Sequence, residues 1–499
     1  MKLTLDLNSA EDYATFLKVK ALPKYSFTGR VAEVPDEYAA QLGRKARKAK
    51  AGDFDPHPRA FDYQRDIAAL AVRKRKFAVF MGCGWGKSLV LLMFARHVAR
   101  LHPKKGVLIV CPLMVVRQTA AEAQRFYGDD LPVRVLKAAE LSEWLATGRG
   151  VAITNFEAIR EDLPANTNLA ALIVDESSMM KSHYGKWGTR LIDLGKGLDW
   201  KLCLTGTPAP NDRIEYANHA VFLDHEPTVN AFLARYFVNR GETANRWEMK
   251  PHALRAFYRS LAHWCVFVDN PATYGWKDNA GNVPPVLTTI HDVPLTDAQD
   301  EATRRMTGNL FGVVEAGGIV GRGKLSQLAK GRVNGEVIET NKTRFVAELV
   351  KSFGDRSSII WCKYNPEQDD ITAALPGCAS VSGSTGEDER AELIDAFQRG
   401  ERRQLVSKPK VLGFGLNLQR CTRMVFSTVQ DSYEEYHQAV KRANRVGSSE
   451  PLEVHIPVTE LERPMLDTVL LKAQRVEADT REQEAMFRET NADISFAEV

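Results

Sequence analysis

Residues 80–94 read FMGCGWGKSLVLLMF. The apolar run Lys76-Phe77-Ala78-Val79-Phe80 that leads in reads as a strand. The stretch from Leu89, LVLLMFARHVARL, has the length and residue types of a helix. The glycines at 82, 84 and 86 therefore lie in a strand-to-helix turn. Glycine there lets backbone N–H groups wrap a phosphate, and the helix dipole favours the anion. In this reading Gly84, Trp85 and Gly86 form the cradle, Lys87 reaches the β- and γ-phosphates, and the Ser88 hydroxyl ligates Mg2+. One position departs from the P-loop pattern: Met81 stands where a glycine is usual, six residues before the lysine.

A second stretch supports the first. Leu172-Ile173-Val174-Asp175-Glu176 is an apolar strand ending in two carboxylates. Asp175 at such a strand end can hold Mg2+, and Glu176 can polarise an attacking water. Either motif alone also fits an ordinary fold feature. Together, in this order, they point to a hydrolase acting on a nucleotide such as ATP.

The chain has 499 residues, 44% hydrophobic and 26% charged, with 67 basic against 63 acidic side chains and a net charge of +4. These are globular values, and about 100–200 residues per domain gives two or three domains. A net charge this small excludes a polycation, so a nucleic-acid footprint must be a local patch. The seven cysteines form no CxxC pair, which excludes a zinc ribbon and a disulfide scaffold and fits a reducing cytoplasm. No run approaches the ~20 apolar residues of a membrane span, so no membrane partner is expected.

Apolar strands alternate with helical stretches in two series. The first comprises 77–80, 107–110, 151–154, 171–174 and 201–204, the second 358–362, 379–382, 403–407, 423–427 and 453–458. The pattern predicts two α/β lobes, each a parallel sheet with helices on both faces. The expected layout is an N-terminal accessory region over 1–58, an ATP-binding lobe over 59–225, a mostly helical insertion over 226–334, a second lobe over 335–460 and a closing helical segment over 461–499. The basic runs Arg44–Lys50 and Arg73–Lys76 are candidate DNA grips or plain solvated surface. The aromatics between Tyr236 and Trp276 read as core packing of the insertion, with base stacking as the competing reading. His183 and His437 have no second ligand at metal spacing.

The second lobe has no P-loop, but DSYEEYHQAVKRANRVGSSE follows its strands. Ser432 with Glu435 forms a capping box, and Gln438, Arg442 and Arg445 fall on one face of the expected helix at i, i+4 and i+7. The phrase QAxxRxxRxG resembles motif VI of superfamily 2 helicases and translocases. The rest of that series is present in order between about residues 60 and 460. Phe61-Asp62-Tyr63-Gln64-Arg65 resembles the glutamine motif that reads adenine. Val110 to Gln118 resembles motif Ia, Ile153-Thr154-Asn155-Phe156-Glu157 motif Ib, and Leu204-Thr205-Gly206-Thr207-Pro208-Ala209-Pro210-Asn211 motif III. Gly383-Ser384-Thr385 with Glu389-Arg390 resembles a segment of the second lobe, and Gly413-Phe414-Gly415-Leu416-Asn417-Leu418 resembles motif V. Asp-Glu-x-x-x-x-Lys-Ser at 175–182, followed by LTGTPxxN, is similar to the Snf-type (Swi/Snf-like) translocases, in particular their small phage and bacterial members. DEAD-box RNA helicases carry different wording at both places. Ser177-Ser178 departs from the usual Ala-His, so the coupling of motif II to motif III can differ here.

The resemblance implies two RecA-like lobes with a helical segment between them and a small N-terminal extension. It implies an ATP-dependent DNA helicase or translocase that uses ATP and Mg2+ and acts on duplex or branched DNA, in the cytoplasm of a bacterial or phage-infected cell. Gln64, Gly415 and Gln438 join the nucleotide site, with Ser88 and Asp175 on the metal. Lys87, Asp175, Glu176, Arg442 and Arg445 carry catalysis. Arg117, Thr154, Thr205, Lys363, Ser407 and Asn417 hold the nucleic-acid strand. Two alternatives stay open: the same engine on RNA, and an ATP-gated clamp on DNA with little turnover. A P-loop kinase is disfavoured by the second lobe and its arginines.

Overall fold

The computed structural model of the chain describes residues 2–6, 8–22, 25–34, 42–43, 53–82, 84–164, 168–182, 184–241, 247–277, 283–307, 319–333, 335–412, 418–428, 432–445, 448 and 450–491. The chain divides into two compact units. One takes in Met1–Gly82, Gly86–Ala280 and Ala478–Val499, the other Cys83–Trp85 and Gly281–Glu477.

The first unit is built on a seven-stranded sheet. Its spatial order is Cys265–Val268, Lys76–Met81, Trp200–Thr205, Leu169–Asp175, Gly106–Cys111, Gly150–Asn155 and Val133–Val135. Every pairing is parallel. The strands Trp200–Thr205, Leu169–Asp175 and Gly106–Cys111 are buried along their whole length. That is why they read as unbroken apolar runs rather than as alternating ones. Because all strands point the same way, the residues after Met81, Asp175 and Thr205 emerge at one edge of the sheet, and those three strands are immediate neighbours. The carboxyl edge of a parallel sheet is where such folds bind ligands.

The second unit is built on a six-stranded sheet, also all parallel, in the order Val286–Asp292, Leu452–Val458, Arg423–Phe426, Ser358–Trp361, Gln404–Ser407 and Ala379–Val381. Alternate residues of its central strand serve opposite faces. Ile359 and Trp361 join a core with Phe426, Val454, Leu466 and Val469, while Ile360 and Cys362 join one with Val346, Val350 and Ile371. The fold is thus α/β, with two parallel sheets of RecA-like form.

The segment 226–334, expected to be mostly helical, holds both helices and strands. Besides helices it forms the antiparallel pair Phe237–Asn239 and Trp247–Met249, and it supplies one edge strand to each sheet, Cys265–Val268 and Val286–Asp292. The short run CVFV is too brief to register as an element until its partner strand is known. Val286–Asp292 is exposed over most of its length, so it lacks the apolar run that marks a buried strand. The aromatics of this segment pack on one another and on the sheet: Phe257 meets Phe232, Tyr236 and Phe237, and Trp264 meets Phe80. Core packing is their role. In the N-terminal region, helix Ala10–Ala21 covers a three-stranded antiparallel sheet over a core of Leu3, Leu5, Val19, Leu22, Ala32 and Val34.

Helix Arg463–Thr490 begins on the core of the second unit, and its residues from Ala478 belong to the first. There the Asp479 carboxylate accepts both arms of Arg213, at 2.6 and 2.9 Å, and the Tyr258 hydroxyl at 2.9 Å. Just before the helix, Glu462 is buried between the ammonium groups of Lys330 and Lys342 and also accepts from the Thr459 hydroxyl. Burial works to raise the Glu462 carboxyl, but the two ammonium groups overcome it and pull it down to about 2. A folded-state value below the unfolded one means the contribution to stability is present above the ordinary glutamate range and fades as pH falls towards 2. Removing one member strands two buried cations. Glu462→Gln should therefore cost about 3–5 kcal/mol in urea denaturation at neutral pH, and the difference from the native chain should shrink on acidification.

Candidate functional site

The turn that opens helix Lys87–Leu101 leaves strand Lys76–Met81 with Gly82 N–H donating to Val268 O at 3.0 Å. Gly84 and Gly86 adopt φ of +89° and +78°. These are left-handed values that side chains resist. At Gly86 a Cβ would also stand 2.3 Å from Gln64 Nε2, so a side chain there would have to displace the glutamine amide. Met81 is the last residue of the strand and sits in ordinary extended backbone. It imposes no demand for glycine, which accounts for the departure from the P-loop pattern. Lys87 Nζ donates to Met81 O at 3.0 Å, inside the turn.

Gln64 sits on helix Asp62–Lys74 and is only 4% exposed. Its Oε1 accepts from Phe61 N–H at 3.0 Å, which leaves its amide nitrogen turned to Gly86. The glutamine motif is therefore brought against the P-loop. Trp276 Nε1–H donates to Asp66 at 2.7 Å, and Lys277 N–H to Asp62 at 2.8 Å, which fixes that helix from its other side.

Asp175 ends its strand at 7% exposure. Burial, then the neighbouring Glu176, push its carboxyl up to about 7, and Lys87 draws it partly back. A buried carboxylate raised in this way, beside a second that is half-buried, is a fitting place for a divalent cation, whose charge would favour its ionised form. Asp175, and Ser88 at the first turn of the helix after the P-loop, carry oxygen donors of the kind magnesium takes. Glu176 follows in left-handed backbone, φ +49°, and its Oε2 accepts from the Thr205 hydroxyl at 3.2 Å. Thr205 Oγ1 in turn accepts from Thr207 N–H at 3.3 Å.

Several strand-binding candidates change role. Thr205 is fully buried, and its hydroxyl donates to Glu176. Thr154 is buried with its hydroxyl on Leu136 O at 3.0 Å, and Ser407 with its hydroxyl on Val381 O at 2.6 Å. Neither hydroxyl is free to hold a phosphate. Arg117 is exposed near the start of helix Leu113–Tyr127. Lys363 is half-buried, with its ammonium over the Tyr364 ring and its N–H on Glu367. Of the run 73–76, Arg73 is exposed, while Lys74 donates to His263 O, Arg75 lies over Trp200 and Lys76 pairs with Asp224. Gly415, Asn417, the run 44–50 and His183 lie outside the described residues.

In the second unit, helix Tyr433–Ala443 starts with the Ser432 cap on Glu435 N–H. It stops at Ala443, two residues short of Arg445, so Gln438, Arg442 and Arg445 do not share one helix face. Gln438 donates to Glu434 one turn back. Arg442 is buried, donates to Pro409 O at 3.3 Å and lies over Trp361 at 5.8 Å. Arg445 is half-buried, its Nε–H on Lys441 O at 3.0 Å. His437 Nδ1 lies 3.1 Å from the Tyr433 hydroxyl.

Sequence reasoning missed three residues of the first unit. His219 Nε2 lies 3.0 Å from the hydroxyl of Ser177, next to Glu176. Asn218 donates to Met180 O and Ser182 O, both at 2.6 Å. Glu215 accepts from Asn211 and Asp212. Burial pushes the His219 imidazole down to about 4, so it is neutral at physiological pH. The available signal was polar side chains inside the apolar run Tyr216–Leu223, since buried polar groups need partners.

Residues 80–307 match the SNF2-related domain model, and residues 341–447 match the helicase conserved C-terminal domain model. The two together take in about two thirds of the chain. The chain belongs to the SNF2-type superfamily 2 helicases. It is an ATP-hydrolysing enzyme with the function of an ATP-dependent DNA helicase or translocase. Among solved structures it is similar to the Sulfolobus solfataricus SWI2/SNF2 ATPase core in complex with dsDNA, at 17% identity and TM-score 0.40, covering 88% of this chain and 98% of that one. It is also similar to the Pyrococcus furiosus Hef helicase domain, at 15% identity and TM-score 0.46, covering 80% and 96%. No curated protein matches it. Among the described residues no helix is long and apolar enough to cross a membrane.

Lys87 points into the P-loop and carries no part of either core. Lys87→Ala should abolish ATP hydrolysis while shifting unfolding by no more than about 0.5 kcal/mol, read by thermal melting beside steady-state ATPase.

Proposed function

We propose that this SNF2-type helicase hydrolyses ATP as its Mg2+ complex in the first unit and uses the energy to move along duplex or branched DNA. The observation that carries this reading is the convergence of Lys87, Asp175 and Glu176 at the carboxyl edge of one parallel sheet, with Thr205 bonded to Glu176. Lys87 and the P-loop N–H groups hold the phosphates. Ser88 and Asp175 hold Mg2+, which neutralises charge on the phosphate oxygens when bound. Glu176 orients the attacking water. Gln64, pinned against Gly86, positions the P-loop from the base side.

Arg442 and Arg445 are assigned to the same reaction, since the second lobe (335–460) carries no P-loop of its own. Arg442 is buried and engaged, which suits a residue that shapes the end of its helix. Arg445, beyond that end, is the stronger candidate for contact with the γ-phosphate. An arginine in that role is typically worth ~10³–10⁵ in rate. Arginines supplied by a different lobe tie hydrolysis to lobe movement, and that movement advances the protein on its strand. Arg117 and Lys363 remain as strand contacts, and such contacts to phosphate carry no sequence preference.

Two variants test the reading. Glu176→Gln should bind ATP with near-native affinity and hydrolyse it at least ~100-fold more slowly. A collapse of affinity would make Glu176 a metal or structural residue. Arg445→Ala should retain ATP binding and lose stimulation by DNA, measured as steady-state ATPase with single-stranded, duplex and forked DNA and with RNA. Normal duplex stimulation in the variant would remove Arg445 from the reaction, and stronger stimulation of the native chain by RNA would transfer the activity to that substrate.

A further inference from the structure

Glu176 is held in a left-handed backbone conformation that a non-glycine residue keeps only where its surroundings impose it. Its N–H donates to Asp175 Oδ1 at 3.0 Å, and its carbonyl accepts from Met179 N–H at 3.0 Å. The next residue, Ser177, is wholly buried, and its hydroxyl meets His219 Nε2. His219 is wholly buried too, with Nδ1 3.4 Å from Glu215 O and its ring at right angles to Phe80. A carbonyl can only accept, so Nδ1 carries the proton and Nε2 accepts from the Ser177 hydroxyl.

The same short segment grips the loop after the neighbouring strand. Glu215 accepts from Asn211 N–H at 2.9 Å, from the Asn211 amide at 3.1 Å and from Asp212 N–H at 3.4 Å. Asn218, beside His219, ties down Met180 O and Ser182 O. The loops that follow Asp175 and Thr205 are thus linked twice, directly by Thr205 on Glu176 and again through 211–222. An imidazole used only to fill space would incur a desolvation cost that a leucine would not. Here both ring nitrogens have partners, and one partner adjoins the water-orienting carboxylate.

We propose that His219 is a positioning residue for ATP hydrolysis: through Ser177 it holds the Glu176 turn, and through Glu215 it links that turn to the Gly206–Asp212 loop. The proposal rests on the reading of Glu176 as the residue that orients water.

The test uses the full chain with Mg2+, duplex DNA and either ATP or the non-hydrolysable analogue AMP-PNP. His219→Ala should lower kcat by ~10–100-fold, the usual effect of removing an outer partner that orients a catalytic group. The KM for ATP and the affinity for AMP-PNP should stay within about threefold, since no phosphate-binding group is touched. His219→Gln, which keeps a polar group of similar reach, should recover most of the rate, and His219→Leu, which keeps volume alone, should not. Ser177→Ala removes only the hydroxyl, so it keeps the test open should His219→Ala fold poorly. It should lower kcat similarly, and combining it with His219→Leu should add little. Native kcat in Ser177→Ala, or equal recovery by Leu and Gln, would overturn the proposal and leave His219 as packing. Glu176→Gln run alongside separates the two levels. If it is inactive while His219→Leu is normal, only the positioning role fails; if Glu176→Gln itself hydrolyses normally, the water-orienting reading fails.

Discussion

Two carboxylates at the end of a strand with no solvent on either face make an expensive arrangement, and much of the first unit is arranged around it. Leu169–Asp175 is buried throughout, so Asp175 emerges at the sheet edge with little water to stabilise its charge. Glu176 sits beside it and raises the cost further. Lys87 offsets part of that charge, and Asp175 and Ser88 are donors of the kind Mg2+ takes. Around half-buried Glu176 stand the left-handed turn, the Thr205 hydroxyl and the Ser177–His219 pair. A divalent cation held at this edge would relieve that electrostatic tension.

The P-loop shows a second constraint, one of space. Gly84 and Gly86 bend through left-handed backbone, and the Gln64 amide lies where a Cβ on Gly86 would stand. The usual first glycine of the pattern is dispensable here because Met81 still belongs to the strand. Motif wording and physical need thus separate at this position. The wording changes, while the two positions that require glycine keep it.

Legibility in the sequence followed burial. The central strands of both sheets are continuous apolar runs because helices cover both faces, and each was readable by itself. Val133–Val135, Cys265–Val268 and Val286–Asp292 were missed because they lie at sheet edges, where a strand is short or exposed and its identity depends on the neighbour it pairs with. The same limit applied to hydroxyls. Thr154, Thr205 and Ser407 stand in motifs associated with strand contact, yet each hydroxyl is committed inside the protein. A motif records which residue is present, and its direction is set by packing. Arg445 is a related case. Periodicity extended a helix through it, whereas the helix ends at Ala443.

By itself the sequence determined the α/β class, the two series of strands, the P-loop at Gly84–Ser88, the Asp175–Glu176 pair and the family resemblance. All of these are written in local patterns of apolarity, glycine and charge, which need no knowledge of distant neighbours. The tertiary structure alone decided which residues stand behind that chemistry. Gln64 reaches Gly86 across 22 positions of sequence, Thr205 reaches Glu176 across 29, and His219 reaches Ser177 across 42. Such contacts follow from strand order in a parallel sheet, where the connections between neighbours are long crossovers. Their sequence spacing carries no period, and only the folded chain brings the partners together.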